Sequence, residues 1–384
     1  MAKINRDPSS VRETNGHLSV FIFLTSITLL FSGCALTRGV FLGFPDKKDI
    51  HRFPSSEIAA GTDCFQFYED VNVISENLKV TDWSSGSPYF VTLNQLNESR
   101  PVRSMLIIRN DTLLYDFHGQ KTTALDLNTS YSVAKSFTSA LIGIAIEEGK
   151  IKSVHDKVVD YIPELKRIPK SEKLELEHLL NMTSGFKLKL ITDAQLYYGN
   201  DVLKALKNVE FEHEPGTYQE YINLDVQLLG LILHRATGKK ASEYLSEKIW
   251  KPINMCSDAI WTVDKKGEDK TFCCMGATAS DYAKFGRLFL NNGNWNGNQI
   301  VSEAWVQKSI SRDTTNGSGF GYNYNWHIGE KAYGDYMADG LYKQHIYVHP
   351  EKKIIIVLMA NKDDKVAAER VRWRHVFRQI VDQL

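Results

Sequence analysis

The apolar positions of the chain repeat with two different periods, which predict where strands and helices lie. The runs PVRSMLIIRN and TLLYDFHG are strand-like and meet at Asn110-Asp111, a pair typical of a hairpin turn. A second strand–turn–strand pattern, QHIYVHPEKKIIIVLMANK, lies near the C-terminus. The stretch between these patterns is mostly helical, and the helical period over 363–384 predicts a closing helix.

This order of strands, helices, strands and helix predicts an α+β fold. Because hairpins join neighbouring strands of antiparallel sheets, we expect an antiparallel sheet flanked by helices. The first and last strand pairs are expected to share that sheet, with a helical subdomain inserted at about 150–265. Residues 76–384 then form the folded domain, and the weakly patterned residues 35–75 form an N-terminal linker segment.

Residues 1–34 carry the pattern of a targeting segment. Basic residues precede an uncharged apolar run, 18–31, which is short for a membrane span but suits the core of a signal peptide. The run leads into FSGCA, which resembles a bacterial lipoprotein signal with Cys34 as the lipidated residue. Phe31 stands where that pattern prefers Leu, so an uncleaved anchor and a plain signal peptide are alternatives. We expect an exported, membrane-anchored lipoprotein of the cell envelope.

Charge and cysteine content narrow the possible partners. The 46 Lys and Arg residues balance 46 Asp and Glu residues, which argues against nucleic-acid binding.

Beyond Cys34, the cysteines at 64, 256, 273 and 274 allow one or two disulfides whose pairing the sequence does not reveal. Cys273 and Cys274 are expected to be core thiols, or one of them a disulfide partner for Cys64. No CxxC or HExxH motif occurs, so no metal or cofactor is predicted.

The helix predicted from Ser132 to Glu148 carries a candidate nucleophile. Ser132 and Lys135 lie one turn apart on the face opposite the apolar one, so their polar ends can meet. Free N–H groups and the positive helix end at Ser132 favour an oxyanion. That field, with burial, lowers the pKa of Lys135 and makes it a usable base. The alternative is an N-cap serine beside a solvated lysine.

A second Ser-x-x-Lys pair, Ser184 and Lys187, lacks this context. Its serine stands at the carbonyl end of a helix that ends at Gly185, where the helix field opposes an oxyanion. We interpret Ser184 as a structural turn residue.

Tyr221 and Asn223, between a Pro-Gly turn and an apolar helix, are candidates for proton transfer and orientation. A phenol beside a lysine ammonium has a lowered pKa and can act as a general base or acid. Asn223 is expected to orient Lys135 or the substrate, or alternatively to be only the N-cap of a helix from Leu224. Asp225 is expected to stabilise the first turn of that helix.

Three aromatic residues further along, Tyr322, Tyr324 and Trp326, alternate along the chain. This spacing would place them on one face of a strand, lining the substrate cleft or packing in the core.

Taken in order, these motifs resemble those of the serine β-lactamase and penicillin-binding superfamily. The closest resemblance is to class C β-lactamase-related hydrolases, 6-aminohexanoate-dimer hydrolases and family VIII carboxylesterases. It rests on SVAK, LLNMTSG, YIN, TGKKASEYLSEKIWKPINM, CCMGATASDYAKFGRLFLNNG, GFGYNYNW and ADGLYKQHIYVHPEKKIIIVLMANK, and covers 102–384. The resemblance implies a β-lactamase/transpeptidase-like fold, with Ser132 as nucleophile and Lys135 and Tyr221 moving protons.

The third family motif, Lys-Thr-Gly, corresponds by position to ADG at 338–340. The resemblance implies that Gly340 lets the backbone approach the ligand and that the Leu341 N–H is the second oxyanion donor. The motif's cation is missing, and Asp339 would oppose an anionic substrate. Lys343 or His345 are alternatives for restoring positive charge.

We therefore expect a serine hydrolase that cleaves a small ester or linear amide through a Ser132 acyl-enzyme, without cofactor. A β-lactamase or D-alanyl carboxypeptidase/transpeptidase is the alternative within this class. The alternative of another class is a non-catalytic penicillin-binding-like sensor lipoprotein.

Overall fold

The computed structural model describes residues 35–71, 74, 78–82, 87–119, 121–315, 317–319, 321–362 and 372–384, and its strands and helices come in runs rather than in alternation. Cys34 and the rest of the targeting segment lie outside these residues, as does 363–371 of the predicted closing helix. The strands are β1 Ser55–Ile58, β2 Tyr68–Glu69, β3 Lys79–Asp82, β4 Tyr89–Thr92, β5 Val102–Arg109, β6 Thr112–His118, β7 Asn128–Thr129, β8 Ala259–Thr262, β9 Met275–Ala277, β10 Asn294–Trp295, β11 Asn298–Gln299, β12 Tyr322–Asn323, β13 Trp326–Ile328, β14 Tyr336–Gly340, β15 Gln344–His349 and β16 Ile354–Ala360. The α-helices are α1 Ala35–Leu42, α2 Asp49–Arg52, α3 Leu93–Ser99, α4 Ala134–Glu147, α5 Val158–Tyr161, α6 Leu176–Leu180, α7 Leu190–Tyr198, α8 Asn223–Thr237, α9 Ala241–Leu245, α10 Ala279–Leu290, α11 Glu303–Ile310 and α12 Trp373–Gln383.

The main sheet has eight strands in the order β12-β13-β14-β15-β16-β5-β6-β2. All neighbours in it are antiparallel except the edge pair β2 and β6. The predicted hairpin turn at Asn110-Asp111 joins β5 to β6, and both turn residues have the positive φ that such turns require. The first strand pair meets the last because β5 pairs with β16, with Ile107 opposite Ile356. The predicted α+β fold with its shared antiparallel sheet is confirmed.

Both faces of the central strands are buried, which explains their nearly continuous apolar sequences. In β16, Ile355 and Val357 face the larger core together with helix α4, whereas Ile354 and Ile356 face a smaller core with helix α12. Alternate side chains of a strand point to opposite faces, so each strand contributes to both cores. The sheet therefore lies between two helical layers, and helix α10 packs on the face of the larger core, where a Cβ on its Gly286 would be 2.9 Å from Ile346 and Ile355.

The segment 35–75, expected to be a linker, contributes structure to the domain. Strand β1 pairs with β8 in a second, four-stranded sheet of order β1-β8-β9-β7, and β2 pairs with β6. Helices α1 and α2 precede β1, and Ile58 is fully buried. Apolar burial and strand pairing thus tie this segment to the body of the protein.

Two disulfides correct the predicted cysteine pairing. Cys64 is bonded to Cys256, across 192 residues of sequence, and Cys273 is bonded to its neighbour Cys274. The expectation that Cys273 and Cys274 are free core thiols, or that one of them pairs with Cys64, is therefore wrong. The bond between Cys64 and Cys256 depends on a long-range contact between the segment before β2 and the chain just before β8, which local sequence patterns do not encode.

Among the described residues, no helix is long and apolar enough to cross a membrane.

Candidate active site

Ser132 lies in a 3-10 turn, Tyr131–Val133, that leads directly into helix α4. The residue before it, Tyr131, has a φ of +41°, which is uncommon for a residue with a side chain. The predicted polar face of α4 is buried rather than solvated: Ser136 donates a hydrogen bond to the Asn325 carbonyl at 2.7 Å. Burial of nearly the whole helix fixes its position, whereas Ser132 itself is only partly buried.

The amine of Lys135 is held by three oxygen atoms. Its Nζ lies 2.9 Å from Ser132 Oγ, 2.9 Å from Asn223 Oδ1 and 2.7 Å from the carbonyl oxygen of Phe272. A neutral amine has two N–H groups and one lone pair. The amide and carbonyl oxygens can only accept, so in the neutral state they take both N–H groups and direct the lone pair at the hydroxyl of Ser132.

Burial makes that neutral state accessible. Lys135 is only 1% exposed, and this burial lowers its pKa from 10.5 to about 7, although the carboxylates of Asp193 and Asp225 oppose the shift. The predicted lowering of the Lys135 pKa agrees with this direction, while the alternative of a solvated lysine does not.

Tyr221 lies over the same amine, with Lys135 Nζ 4.9 Å from the centre of its ring. Its side chain is 42% exposed, so the ring forms part of an open cleft. Burial at the site raises the pKa of Tyr221 above its usual value, and the Asp339 carboxylate acts in the same direction against a hydrogen bond with Ser132. The predicted lowering of this pKa is wrong, because burial at the site disfavours the ionised phenolate. Tyr221 is a protonated donor there.

Asn223 begins helix α8 and connects Lys135 to helix α7. While its Oδ1 accepts from Lys135, its Nδ2 donates to Asp193 Oδ1 at 3.2 Å. The N-cap position belongs to Ile222, so the alternative of Asn223 as an N-cap is wrong. Asp193 was not predicted as a site residue, because it lies in helix α7 without a local motif.

Gly340, the last residue of β14, lies directly against the nucleophile turn. A Cβ at this position would be 2.5 Å from the Ser130 carbonyl oxygen and 3.2 Å from the Ser132 nitrogen. Only glycine allows this approach. Leu341 follows at the exposed end of the strand, so its backbone and the N–H of Ser132 border the same cleft.

The side chains around Gly340 make this edge of the site acidic. Asp339 Oδ1 lies 3.1 Å from Nδ1 of the buried His345, whereas Lys343 is exposed. Burial by itself would raise the pKa of Asp339. The hydrogen bond and charge of His345, together with the charge of His327, outweigh burial and lower this pKa. His345 is thus engaged by Asp339 rather than free to bind a substrate anion.

Ser184 of the second Ser-x-x-Lys pair has a structural position, as predicted, but the helix before it, α6, ends at Leu180 and not at Gly185. Lys187 is half-exposed and pairs with Glu210 at 3.5 Å, whereas Ser184 is buried in a turn before Gly185, whose φ is +77°. Asp225 is in the first turn of α8, as predicted, and is completely buried. Burial raises the pKa of Asp225 well above its usual value against hydrogen bonding from Ser184.

The three alternating aromatic residues do not share one strand face. The chain reverses at Tyr324 and Asn325, between β12 and β13, and both have positive φ. Tyr322 packs edge-on against Tyr221, with ring centres 6.0 Å apart, and Trp326 packs in the core against Phe289. Only the first of the three thus supports the site.

No group of three His, Cys, Asp or Glu side chains within the described residues is arranged to hold a metal ion.

Comparison with known proteins gives consistent matches. The family described as Beta-lactamase matches residues 92–379. The 6-aminohexanoate-dimer hydrolase of Paenarthrobacter ureafaciens is 23% identical over 297 residues, which cover 71% of this chain and 76% of the relative.

Solved structures show the same fold. A Bacillus anthracis protein described as a candidate 6-aminohexanoate-dimer hydrolase superposes with a TM-score of 0.74 at 23% identity, covering 86% of this chain and 91% of that one. A family VIII carboxylesterase superposes with a TM-score of 0.60 at 16% identity, covering 76% and 95%.

Proposed function

Because this chain belongs to the Beta-lactamase family, a family of serine hydrolases, we propose that it cleaves an ester or linear amide through an acyl-enzyme on Ser132. The observation that carries the proposal is the buried amine of Lys135, directed at Ser132 Oγ by two fixed acceptors. This is the arrangement that activates a serine hydroxyl without a histidine.

The proposed reaction follows from the proton positions. Lys135 removes the proton of Ser132 as Oγ bonds to the carbonyl carbon, and the N–H groups of Ser132 and Leu341 stabilise the oxyanion. The bond to the leaving group then breaks, and the proton passes through the Tyr221 hydroxyl to the departing alcohol or amine. Water attacks the acyl-enzyme with Lys135 again as base, which releases the acid and restores Ser132.

The acidic edge of the cleft favours a substrate that lacks a carboxylate beside the scissile bond. Asp339 occupies the motif position at which β-lactam-binding relatives are expected to carry a group that attracts an anion. Like charges repel strongly at a partly desolvated site, so an anionic β-lactam should bind poorly. This supports an ester or linear amide over a β-lactam.

The test combines active-site labelling with a substrate panel. A fluorophosphonate should add to the Ser132 peptide, as read by mass spectrometry, and the Ser132→Ala variant should lose both adduct and turnover. Ser184→Ala, the serine of the second Ser-x-x-Lys pair, is the matched control and should keep both. An adduct elsewhere, with none on Ser132, would overturn the mechanism.

The panel consists of a p-nitrophenyl butyrate, a 6-aminohexanoate dimer and a chromogenic cephalosporin. We expect kcat/KM for the ester or the amide to exceed that for the cephalosporin. A preference for the cephalosporin by orders of magnitude would identify a β-lactamase instead. Stoichiometric labelling without turnover of any substrate would identify a sensor.

We also propose that Cys34 is lipidated and anchors the protein in the cell envelope. The motif FSGCA supports this. Metabolic labelling with a palmitate analogue should mark the wild type but not Cys34→Ser. Equal labelling of both proteins would refute the proposal.

A further inference from the structure

A groove of about 570 Å³ opens beside the Ser132–Lys135 pair. Its inner end is formed by Asn223 and Phe272, the two residues whose oxygen atoms bind Lys135. Helices α1 and α7 form its walls. A groove of this volume is in the range of small-molecule sites, and it reaches the two residues whose oxygen atoms hold Lys135.

The walls of the groove offer mainly carbon atoms. Leu36, Val40, Phe44, Leu190 and Ala194 line it. The rings of Tyr197 and Tyr198 also line it, but their hydroxyl groups are bonded within the protein, to Asp49 and to the Gly43 carbonyl. Polar side chains of the lining, Asp193 and Asn223, lie next to Lys135. The groove is thus polar near the scissile bond and apolar away from it.

The outer rim concentrates exposed apolar surface. Six large apolar side chains are at least 78% exposed among the described residues: Val40, Phe41, Phe44, Phe90, Leu125 and Leu190. Three of the six line this groove, and Phe41 is in the helix that forms one wall. Isolated exposed apolar residues are ordinary, but a contiguous group beside a cleft marks a binding surface for apolar molecules.

The two helices that form the walls of the groove, α1 and α7, are held to each other by hydrogen bonds. Arg38 of α1 donates to Asn200 after α7, and Tyr198 of α7 donates to the Gly43 carbonyl after α1. A Cβ on Gly39 would be 3.2 Å from the Tyr198 ring, so glycine allows the two helices to pack closely here. Walls held by such contacts lose little entropy when an apolar chain binds between them.

We propose that this groove binds the acyl chain of the substrate, so that the enzyme is selective for esters of medium- to long-chain acids. The inference rests on the proposed function. In a Ser132 ester, the carbonyl oxygen faces the Ser132 and Leu341 N–H groups and the leaving group faces Tyr221. The acyl chain is left to extend past Asn223 into the groove.

The first experiment compares p-nitrophenyl acetate, butyrate, octanoate and laurate, each below its micelle-forming concentration. The leaving group is constant, so kcat/KM reports the acyl chain alone. Burial of each methylene contributes up to about fourfold, and we expect octanoate to exceed butyrate by at least about tenfold. A second series, the acetate esters of butanol and octanol, varies the alcohol instead of the acid. Its two kcat/KM values should be similar.

A charge placed on the wall should remove this preference. Leu190→Glu introduces a carboxylate on a side chain that is 80% exposed and at the first position of α7, where an acidic residue is compatible with the helix. The ratio of octanoate to acetate kcat/KM should fall about tenfold. Leu125→Glu, which changes the same residue type at 79% exposure away from the groove, should leave the ratio unchanged.

The outcomes separate the two proposals. Hydrolysis of acetate with a flat acyl-chain profile, or equal ratios in the Leu190→Glu and Leu125→Glu variants, overturns the acyl groove but not the serine hydrolase. A preference for longer alcohols also overturns it. No ester hydrolysis and no adduct on Ser132 overturn the proposed function and this inference with it. If Leu190→Glu fails to fold, Val40→Glu tests the opposite wall.

Discussion

The base that activates Ser132 can be tested by replacing Lys135 with methionine, which keeps length and removes the amine. The pKa of Lys135 falls from 10.5 to about 7 on folding because the side chain is buried. At about 1.4 kcal/mol per pH unit, this difference corresponds to a destabilisation of about 5 kcal/mol whenever the folded protein keeps the charge. At pH 7 about half of the buried amines are neutral, against about one in 3000 for an ordinary lysine.

The sign of the pH effect on stability follows from proton counting. Between about pH 7 and pH 10.5 the unfolded chain holds a proton on Lys135 that the folded protein has released, so stability rises with pH across this window. Below pH 7 both states hold the proton, and the full destabilisation is present. Lys135→Met removes this destabilisation. It also leaves the oxygens of Asn223 and Phe272 without a donor, which costs about 1–2 kcal/mol of stability for each oxygen. We expect a net gain of about 1–3 kcal/mol below pH 7, which falls as pH rises and becomes a net loss of about 2–4 kcal/mol above pH 10.5.

Two measurements check this reasoning. The pH profile of kcat/KM for p-nitrophenyl butyrate should have an acidic limb with a midpoint near 7, because only the neutral amine accepts the proton of Ser132. Lys135→Met should lose activity by about 10²- to 10⁴-fold while its urea midpoint at pH 6 rises.

Lys270 provides a matched control. It is also buried, burial lowers its pKa to about 7, and its amine donates to the Tyr197 carbonyl at 2.6 Å rather than to Ser132. Lys270→Met should keep the acidic limb of the wild type. A limb with a midpoint near 10, or substantial activity in Lys135→Met, would refute Lys135 as the base.

Three further variants test other parts of the structure. Tyr221→Phe should lower kcat by about 10²-fold. The acidic limb of its pH profile should keep its midpoint, because Lys135 determines that midpoint. An unchanged kcat would show that Tyr221 does not transfer the proton. Gly340→Ala places a Cβ 2.5 Å from a backbone oxygen and should abolish labelling of the nucleophile by fluorophosphonate; normal labelling would contradict the close approach. The double variant Cys64→Ser and Cys256→Ser should unfold in urea with a free energy lower by about 2–4 kcal/mol, and equal stability with the wild type would show that the bond is not formed.

Local patterns identified the central elements because both the hairpin and the nucleophile helix depend on neighbouring residues. Asn110-Asp111 specifies a tight turn because both residue types tolerate positive φ. The strand-like runs on either side of the turn are strands β5 and β6 of the main sheet. The pairing of Ser132 with Lys135 follows from one helical turn. These features could be predicted because residues close in sequence are close in space.

Other features required the tertiary structure. The apolar and polar faces predicted for α4 are both buried, because the helix passes through the middle of the domain. The directions of the Lys135 and Tyr221 pKa shifts are both set by burial, which distant segments of the chain produce. The second acceptor of Lys135, the Phe272 carbonyl, is 137 residues away and is a backbone atom, so no residue type reveals it.

The sequence by itself determined the strand and helix order, the Ser132–Lys135 pair and the candidate proton carrier Tyr221, since each is written in residue type and short spacing. Only the tertiary structure decided the cysteine pairing, the protonation states of Lys135 and Tyr221, the contact of Asp193 with Asn223, and the apolar groove between α1 and α7. The physical reason is the same throughout: burial and long-range contacts set charge, pairing and cavity shape, and these depend on which distant residues the fold brings together.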